Sequence, residues 1–337
     1  MRNPTVQHFP QRQPFDCGED EIEGIGNYHL TDNDHDEAET IWDPLQLAAS
    51  SGNLVEVNAL LADGRNPNAL PQGWYGKTAL QVAALHGHLA VVQVLLASGA
   101  QVDAPGGNNG GRTALTLAAG ATTVAHQVQS TIIDRLLHEG ADVNHPPHPY
   151  MGRTPVQAAA EGGNLTILRC LVALGGDIRA PAAKTSGRTA LQAAAEQQHI
   201  EFVVFLLQQG VVVTEDDMRV SQNKAGVTAL QAAASVGNKK LVKTLVDAGA
   251  NVNAKGSRFN GCSALGAAAG GDFVDIIWML IDAGADLDQV EGNHGRTAMQ
   301  VARVRGSMNA VRVLKDAAQR RAYMSSDIDH ILTSSNA

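Results

Sequence analysis

A short pattern that recurs along the chain constrains its fold more than any single residue does. The pattern opens at Asp43, Thr78, Thr113, Thr154, Thr189, Thr228, Ser263 and Thr297. Successive openings are 35, 35, 41, 35, 39, 35 and 34 residues apart. Self-similarity at this period predicts a solenoid of about eight units, each burying its apolar face against its neighbours. In such a protein, function is expected on a surface assembled across several units.

Each unit predicts two short helices joined by a tight turn. In the second unit, apolar residues at helical spacing follow Thr78, a Gly87-His88 break interrupts them, and a second apolar run extends from Leu89 to Leu96. Threonine is a favourable N-cap for the first helix, and glycine suits the left-handed residue that ends the second. The closing glycines are Gly64, Gly99, Gly140, Gly175, Gly210, Gly249 and Gly284. The predicted fold class is therefore all-α.

The opening motif, an alanine pair and the closing turn together resemble the ankyrin repeat family. The closing turn reads Gly140-Ala141-Asp142-Val143-Asn144 in the third unit. The resemblance covers residues 41–318 and implies an ankyrin-repeat solenoid with hairpin fingers that acts through protein recognition. Glutamine replaces the family motif's histidine at positions 46, 81, 157, 192, 231 and 300. The Gly-Arg-Thr-Ala-Leu-Gln-Ala-Ala-Ala variant at residues 187–195 resembles arrays common in filamentous fungi.

Charge is concentrated at the N-terminal end. Residues 1–41 carry ten acidic residues against Arg2 and Arg12, so they hold −8 of the net charge of −9. We expect residues 1–40 to be an acidic disordered tail, which is either simply solvated, attracts a basic partner or covers the open end of the array. Residues 319–337 are expected to form a C-terminal tail. The nearly neutral array between them offers no general basic surface for nucleic acid.

Three widely spaced cysteines form neither a disulfide framework nor a metal-binding pair. No apolar run has the length of a membrane span, and the first residues do not resemble a signal peptide. These features predict a cytoplasmic protein, with the nucleus as an alternative, that does not contact membranes.

The predicted fingers carry the first candidate binding surface, which we call the finger-tip row. Five of the seven connections between a closing glycine and the next opening residue are 14 residues long, which indicates long fingers. Three aromatic residues share one position in these fingers, and exposed aromatics are favoured contact residues. The alternative is that each ring packs on the neighbouring finger. The row consists of Trp74, Tyr75, Asn109, Tyr150, Lys224 and Phe259.

A second candidate surface, the first-helix face, follows the alanine pair in each first helix. It is represented by His86, Glu161, Glu196 and Arg305, and most side chains of this row are expected simply to be solvated. The third unit also carries six extra residues between positions 120 and 129. These extra residues either contribute to a binding face or form a drifted loop without a role.

No catalytic, cofactor or metal site is predicted. The glycine-rich residues 106–113 lack the preceding strand of a phosphate-binding loop, and the histidine pairs lack further ligands at metal-binding spacing. The histidines are expected to serve the turns instead. The sequence predicts a monomeric, non-catalytic scaffold or adaptor for an unidentified protein partner. The alternatives are an accessory or regulatory protein of a fungal specialised-metabolite pathway and, less favoured, an enzyme that uses the cleft of the array.

Overall fold

The computed structural model of the 337-residue chain describes most of the repeat array in seven stretches. These stretches are residues 42–71, 76–107, 110–184, 187–213, 227–256, 261–290 and 295–334, with side chains described up to residue 323. The predicted N-terminal tail at residues 1–40 lies outside this part of the chain.

Sixteen helices occur in the described residues, and they alternate between the first and second helix of a unit. The first helices are α1 Pro44–Ser50, α3 Ala79–His86, α5 Ala114–Gly120, α7 Pro155–Gly162, α9 Ala190–Glu196, α11 Ala229–Ser235, α13 Ala264–Gly270 and α15 Ala298–Arg305. The second helices are α2 Leu54–Ala62, α4 Leu89–Ala97, α6 His126–His138, α8 Leu165–Ala173, α10 Ile200–Gln208, α12 Lys239–Asp247, α14 Val274–Asp282 and α16 Met308–Ser334. The predicted eight-unit, all-α solenoid is therefore confirmed.

In six of the eight units the glutamine that replaces the family's histidine caps the first helix, and in α3 it also joins that helix to the following connection. In α3, Thr78 Oγ1 accepts from Gln81 N at 3.2 Å, and Gln81 Oε1 accepts from Thr78 N at 2.8 Å. The same side chain donates through Nε2 to Ala104 O at 2.7 Å, so one buried glutamine joins two segments 23 residues apart. The reciprocal cap recurs at Asp43, Thr154, Thr189, Thr228 and Thr297.

The core is a continuous layer of small and branched aliphatic residues between stacked units. The first helices pack on one another, and each of the first seven contributes a buried alanine pair such as Ala83 and Ala84. Alanine permits close approach of neighbouring helices, while Leu80 and Leu95 fill the space between the two helices of a unit. Burial of each such leucine contributes about 1.5–3 kcal/mol, and Leu95→Ala is expected to cost about 2–5 kcal/mol.

The six extra residues of the third unit build ordered structure rather than an open loop. Helix α6 has 13 residues where the other second helices before it have nine, which accounts for four of the six. The Gln129 side chain donates to Ala118 O at 2.8 Å and to Ala121 O at 3.0 Å, closing the end of α5. Asn164 of the next unit donates to Gln129 Oε1 at 3.0 Å. The insertion is thus tied to the first helix of its own unit and to the next unit.

The array ends because its last unit replaces a packing residue with a charged one. The second alanine of the pair has an arginine in its place, Arg303, which is exposed. In the seven preceding units that position is 0 or 1% exposed: Ala49, Ala84, Ala119, Ala160, Ala195, Ala234 and Ala269. Another unit stacked here would have to bury a guanidinium group, which is unfavourable without a partner. Helix α16 then continues beyond residue 318, where the sequence analysis placed the end of the array, to Ser334.

Candidate functional site

Of the predicted finger-tip row, the structure describes one residue. Tyr150 is 41% exposed, and its main chain forms a small turn with the ring of His148, whose Nδ1 accepts from Tyr150 N at 3.2 Å. The other members, Trp74, Tyr75, Asn109, Lys224 and Phe259, lie outside the described residues.

The structure distributes the predicted first-helix face over four separate units. His86 ends α3, Glu161 and Glu196 lie at the ends of α7 and α9, and Arg305 ends α15. All four side chains are half-buried, and only the two glutamates belong to consecutive units. His86 and Arg305 therefore do not form one cluster with the glutamates.

Three arginines that the sequence analysis did not name as candidates face these glutamates. Arg153 Nε donates to Glu161 Oε2 at 3.1 Å, and Arg188 Nε donates to Glu196 Oε2 at 2.8 Å. Arg112, from the preceding unit, approaches Glu161 Oε2 at 3.8 Å. Each arginine directly precedes an opening threonine, and in units four and five the paired glutamate follows the arginine eight residues later. We call this set of five side chains the inner charge row.

Burial and hydrogen bonding fix the geometry of the inner charge row. The Arg153 side chain is 8% exposed, and its Nη1 donates to Met151 O at 3.2 Å and to Gly152 O at 3.1 Å. Arg188 Nη1 donates likewise to Gly187 O at 3.0 Å. The guanidinium groups are therefore held by the finger base as well as by the helix. Glu161 and Glu196 are 31% and 27% exposed and each is paired with an arginine, whereas the sequence analysis expected most side chains of this face to be solvated.

Electrostatic interactions within the row keep the Glu161 carboxylate charged. Burial alone raises the pKa of the Glu161 carboxyl, but the guanidinium groups of Arg153 and Arg112 outweigh burial and leave the pKa below its ordinary value. Burial also lowers the pKa of Arg153, an effect that Glu161 opposes. Arginine nevertheless remains protonated at neutral pH. The row thus presents fixed charges, and a carboxylate stabilised in this way is a poor proton donor.

Two of the described histidines connect consecutive units. His88 Nε2 lies 2.8 Å from Ser50 O, and His199 Nε2 lies 3.2 Å from Glu161 O, so each ring joins consecutive units. Gly52 and Gly163 provide the space for these rings. Within the part of the chain that the structure covers, no group of three or more His, Cys, Asp or Glu residues is arranged to hold a metal ion.

The spacing of Arg153 and Glu161, repeated by Arg188 and Glu196, is the sequence signal that would have located the row. An isolated Arg and Glu eight residues apart carry little information, because a helix places residues three and four apart on one face. The pair meets only because the arginine lies in the finger base, before the helix begins. Recurrence in two consecutive units is what distinguishes it from chance.

The fold and this recurring surface define an all-helical repeat protein, and sequence comparison supplies the family. The profile described as ankyrin repeats (3 copies) matches residues 23–106, 45–146, 122–217, 186–256 and 212–291. The chain therefore belongs to the ankyrin repeat family, and the resemblance noted above is confirmed. Ankyrin repeats are generally protein–protein interaction modules.

The chain is also similar to solved structures, among them another ankyrin repeat domain. The human ASB11 ankyrin repeat domain, known from a crystal structure, is similar to this chain at 23% sequence identity. The alignment covers 82% of this chain and 98% of that domain, with a TM-score of 0.45. Comparison with curated proteins gives no match. No helix in the described part of the chain combines the length and apolar character that crossing a bilayer requires.

Proposed function

We propose that the array is a non-catalytic scaffold that binds a protein partner along the surface formed by its first-helix ends and finger bases. The observation that carries this proposal is the inner charge row. Its ion pairs recur in consecutive units, and the buried Arg153 guanidinium is hydrogen-bonded to two finger-base carbonyls as well as to Glu161. A surface whose charged groups are already ordered binds a partner without the entropic cost of ordering them.

The exposed ring of Tyr150 supports the same surface. Tyr150 lies three residues before Arg153 in the same finger, so an aromatic contact residue stands next to the charge row. Aromatic anchors flanked by ordered polar groups are typical of the residues that dominate binding energy. We propose that the partner contacts both Tyr150 and the exposed parts of Glu161 and Glu196, with the remaining finger-tip residues extending the contact.

The state of the carboxylates favours binding over catalysis. Glu161 is held ionised by two guanidinium groups, whereas a general acid requires a raised pKa. Glu196 accepts a hydrogen bond from Arg188 Nε at 2.8 Å. We infer that these groups recognise a charged or hydrogen-bonding surface and do not transfer protons.

Affinity capture with matched variants tests the proposal. The full chain is immobilised, and proteins retained from a lysate of the source organism are quantified by mass spectrometry. The Tyr150→Ala, Glu196→Gln double variant is expected to bind the specific partner at least about 30-fold more weakly, because truncated aromatic and charged contacts commonly cost about 2 kcal/mol or more. Asp247→Asn is the control, because Asp247 forms a similar ion pair with Lys243 on the second helix α12. Equal loss in both variants, or no loss in the double variant, would contradict the proposed surface.

A further inference from the structure

One arginine of the inner charge row has no hydrogen-bond acceptor for its side chain among the described residues. Arg153 and Arg188 each donate through Nε to a glutamate and through Nη1 to finger-base carbonyls. Within the same part of the chain, Arg112 has only the ion pair of its Nη2 with Glu161 Oε2 at 3.8 Å, which is longer than a hydrogen bond. The cause lies in the sequence, because the residue eight positions after Arg112 is Gly120 rather than a glutamate.

The inner charge row also holds more positive than negative charge. Its three guanidinium groups face two carboxylates, those of Glu161 and Glu196. Burial is the main cause that lowers the pKa of Arg153, and the charges of Arg112 and Arg188 lower it further. The three cations are therefore close enough to repel one another. An additional anion at Arg112 would balance the row.

The Arg112 side chain is largely enclosed and still reachable. It is 17% exposed, so most of its length is packed against the protein and its orientation is restricted. A guanidinium group carries several N–H donors and no acceptor. Donors that are partly removed from water without an acceptor cost free energy, which a bound acceptor recovers. Arg112 is therefore prepared to receive a hydrogen-bond acceptor from a ligand.

Arg112 lies next to the finger that carries the exposed Tyr150. A Cβ placed on Gly110, two residues before Arg112, would lie 4.0 Å from Tyr150 O and 3.8 Å from Met151 O. Arg112 itself approaches Glu161, at the end of the helix that follows this finger. Both contacts join the chain around Arg112 to unit four. A ligand that reaches Tyr150 can therefore also reach Arg112.

The charge and shape of the site favour the carboxylate of a protein side chain. The planar fork of a guanidinium group matches the two oxygens of a carboxylate, which can accept two parallel hydrogen bonds. A phosphate group also fits the fork, but it carries a charge of about −1.5 to −2 at neutral pH and would be repelled by the nearby Glu161 carboxylate. A basic side chain would leave Arg112 unpaired and add a like charge, so it is disfavoured.

We propose that Arg112 is the point of the binding surface at which the partner protein supplies an Asp or Glu side chain, which accepts hydrogen bonds from the Arg112 guanidinium. This assignment deepens the proposed function and rests on it, because it requires a protein partner on this surface. Arg112 selects for the acid, because Arg153 and Arg188 use their donors within the chain. The partner segment carries its acidic residue close to the residue that contacts Tyr150.

Selection of peptides on the intact chain tests this assignment. The full chain is immobilised, and a phage-displayed library of random peptides is selected on it at low ionic strength. The enriched peptides are expected to share an Asp or Glu side chain at one position. The consensus peptide is then synthesised with an acetylated N-terminus and an amidated C-terminus, so that side chains supply its only carboxylates. Fluorescence polarisation measures its Kd.

Variants of two arginines in unit three show whether the acid contacts Arg112. Arg112→Gln is expected to weaken peptide binding at least about tenfold, because hydrogen bonds between charged groups are lost. Arg135→Gln removes the same charge from α6, where Arg135 pairs with Glu139 at 2.7 Å, and it should leave the Kd unchanged. Replacing the acid of the peptide by its amide should abolish the effect of Arg112→Gln, as a double-mutant cycle requires of groups in contact. Circular dichroism shows whether both variants fold.

Four outcomes would overturn the assignment. They are a selection without a shared acidic residue, a Kd that Arg112→Gln leaves unchanged, a loss of affinity that persists in full with the amide peptide, and tighter binding of a phosphoserine peptide than of the acidic one. The third would mean that Arg112 acts through the fold, and the fourth would reassign the site to phosphate.

The Tyr150→Ala, Glu196→Gln variant separates this assignment from the proposed function. If that variant weakens peptide binding and Arg112→Gln does not, the binding surface stands and the acid site is wrong. If neither variant weakens binding, the peptide binds elsewhere on the chain and the proposed surface is contradicted as well.

Discussion

Asp103 occupies a position at which an asparagine would stabilise the array. The equivalent residue Asn68 donates through Nδ2 to Gly99 O at 2.9 Å and accepts from Gln101 N at 2.7 Å, so it joins two consecutive closing turns with two hydrogen bonds. Asn144 and Asn253 form the same pair of bonds with the turns that follow them. Asp103 accepts from Asp142 N at 2.9 Å, but its other oxygen is buried without a hydrogen-bond partner.

The expected gain from Asp103→Asn follows from these bonds. A carboxylate has no donor, whereas an amide in the same place can donate to Gly140 O as Asn68 does to Gly99 O. The substitution therefore adds one hydrogen bond, worth about 1 kcal/mol, and removes an unsatisfied buried acceptor, which costs about 1–3 kcal/mol. Because the side chain is only half-buried, we expect the lower part of this range, about 1–2 kcal/mol. For a domain of this size that corresponds to a rise in Tm of about 2–4 °C per kcal/mol.

Thermal unfolding followed by circular dichroism, together with amide hydrogen exchange in α4 and α6, measures this gain globally and at the junction of units two and three. Asn144→Asp makes the reverse change at the equivalent position and is expected to lower stability by a similar amount. The reasoning would be refuted if Asp103→Asn left Tm and local exchange unchanged, or lowered stability, while Asn144→Asp was destabilising.

Three further predictions concern caps, turns and pH. Gln81→Ala should lower the free energy of unfolding by about 2–4 kcal/mol, because it leaves the buried Thr78 N and Ala104 O without partners. Gln300→Ala, at an exposed position in the last unit, should lower it by less than about 1 kcal/mol. Urea unfolding of both variants measures the difference. Gly163→Ala should destabilise more than Gly64→Ala, since both have positive φ but only at Gly163 would a Cβ meet a ring, 2.6 Å from His199 Cε1; similar losses in Tm would contradict this. Glu161 has a lowered folded pKa, so its contribution to stability is present above its ordinary value near 4.3 and is lost as the pH falls through the folded value. Glu161→Gln should therefore be destabilised by about 2 kcal/mol at pH 7 and approach the wild type at acidic pH, and a pH-independent difference in urea midpoint would argue against the ion pair.

The repeat architecture could be predicted because its signals are local in sequence. The opening threonines, the alanine pairs and closing glycines such as Gly99, whose φ is +83°, each act on the helix that contains or precedes them. The start of α3 at Ala79, after the Thr78 cap, is one such confirmed prediction.

Contacts between units could not be read from the sequence in the same way. Arg112 and Glu161 are 49 residues apart, and they approach one another only because two units stack with a particular register. The third bond of Gln81, to Ala104 O, likewise depends on the path of the following connection. The extra residues before Gln129 gave no sign that four of them would lengthen a helix, since their composition is polar and lacks a strong helical period.

Hydrogen–deuterium exchange of the full chain, with and without its captured partner, tests the central claim that the partner binds the surface formed by the first-helix ends and the finger bases. If the claim is correct, protection on binding increases in residues 150–154 and 187–189, which lead into α7 and α9, and at the C-terminal ends of those two helices. Protection of the second helices α8 and α10 of the same units should not change. Protection confined to the second helices, or spread evenly over the array, would contradict the proposed surface.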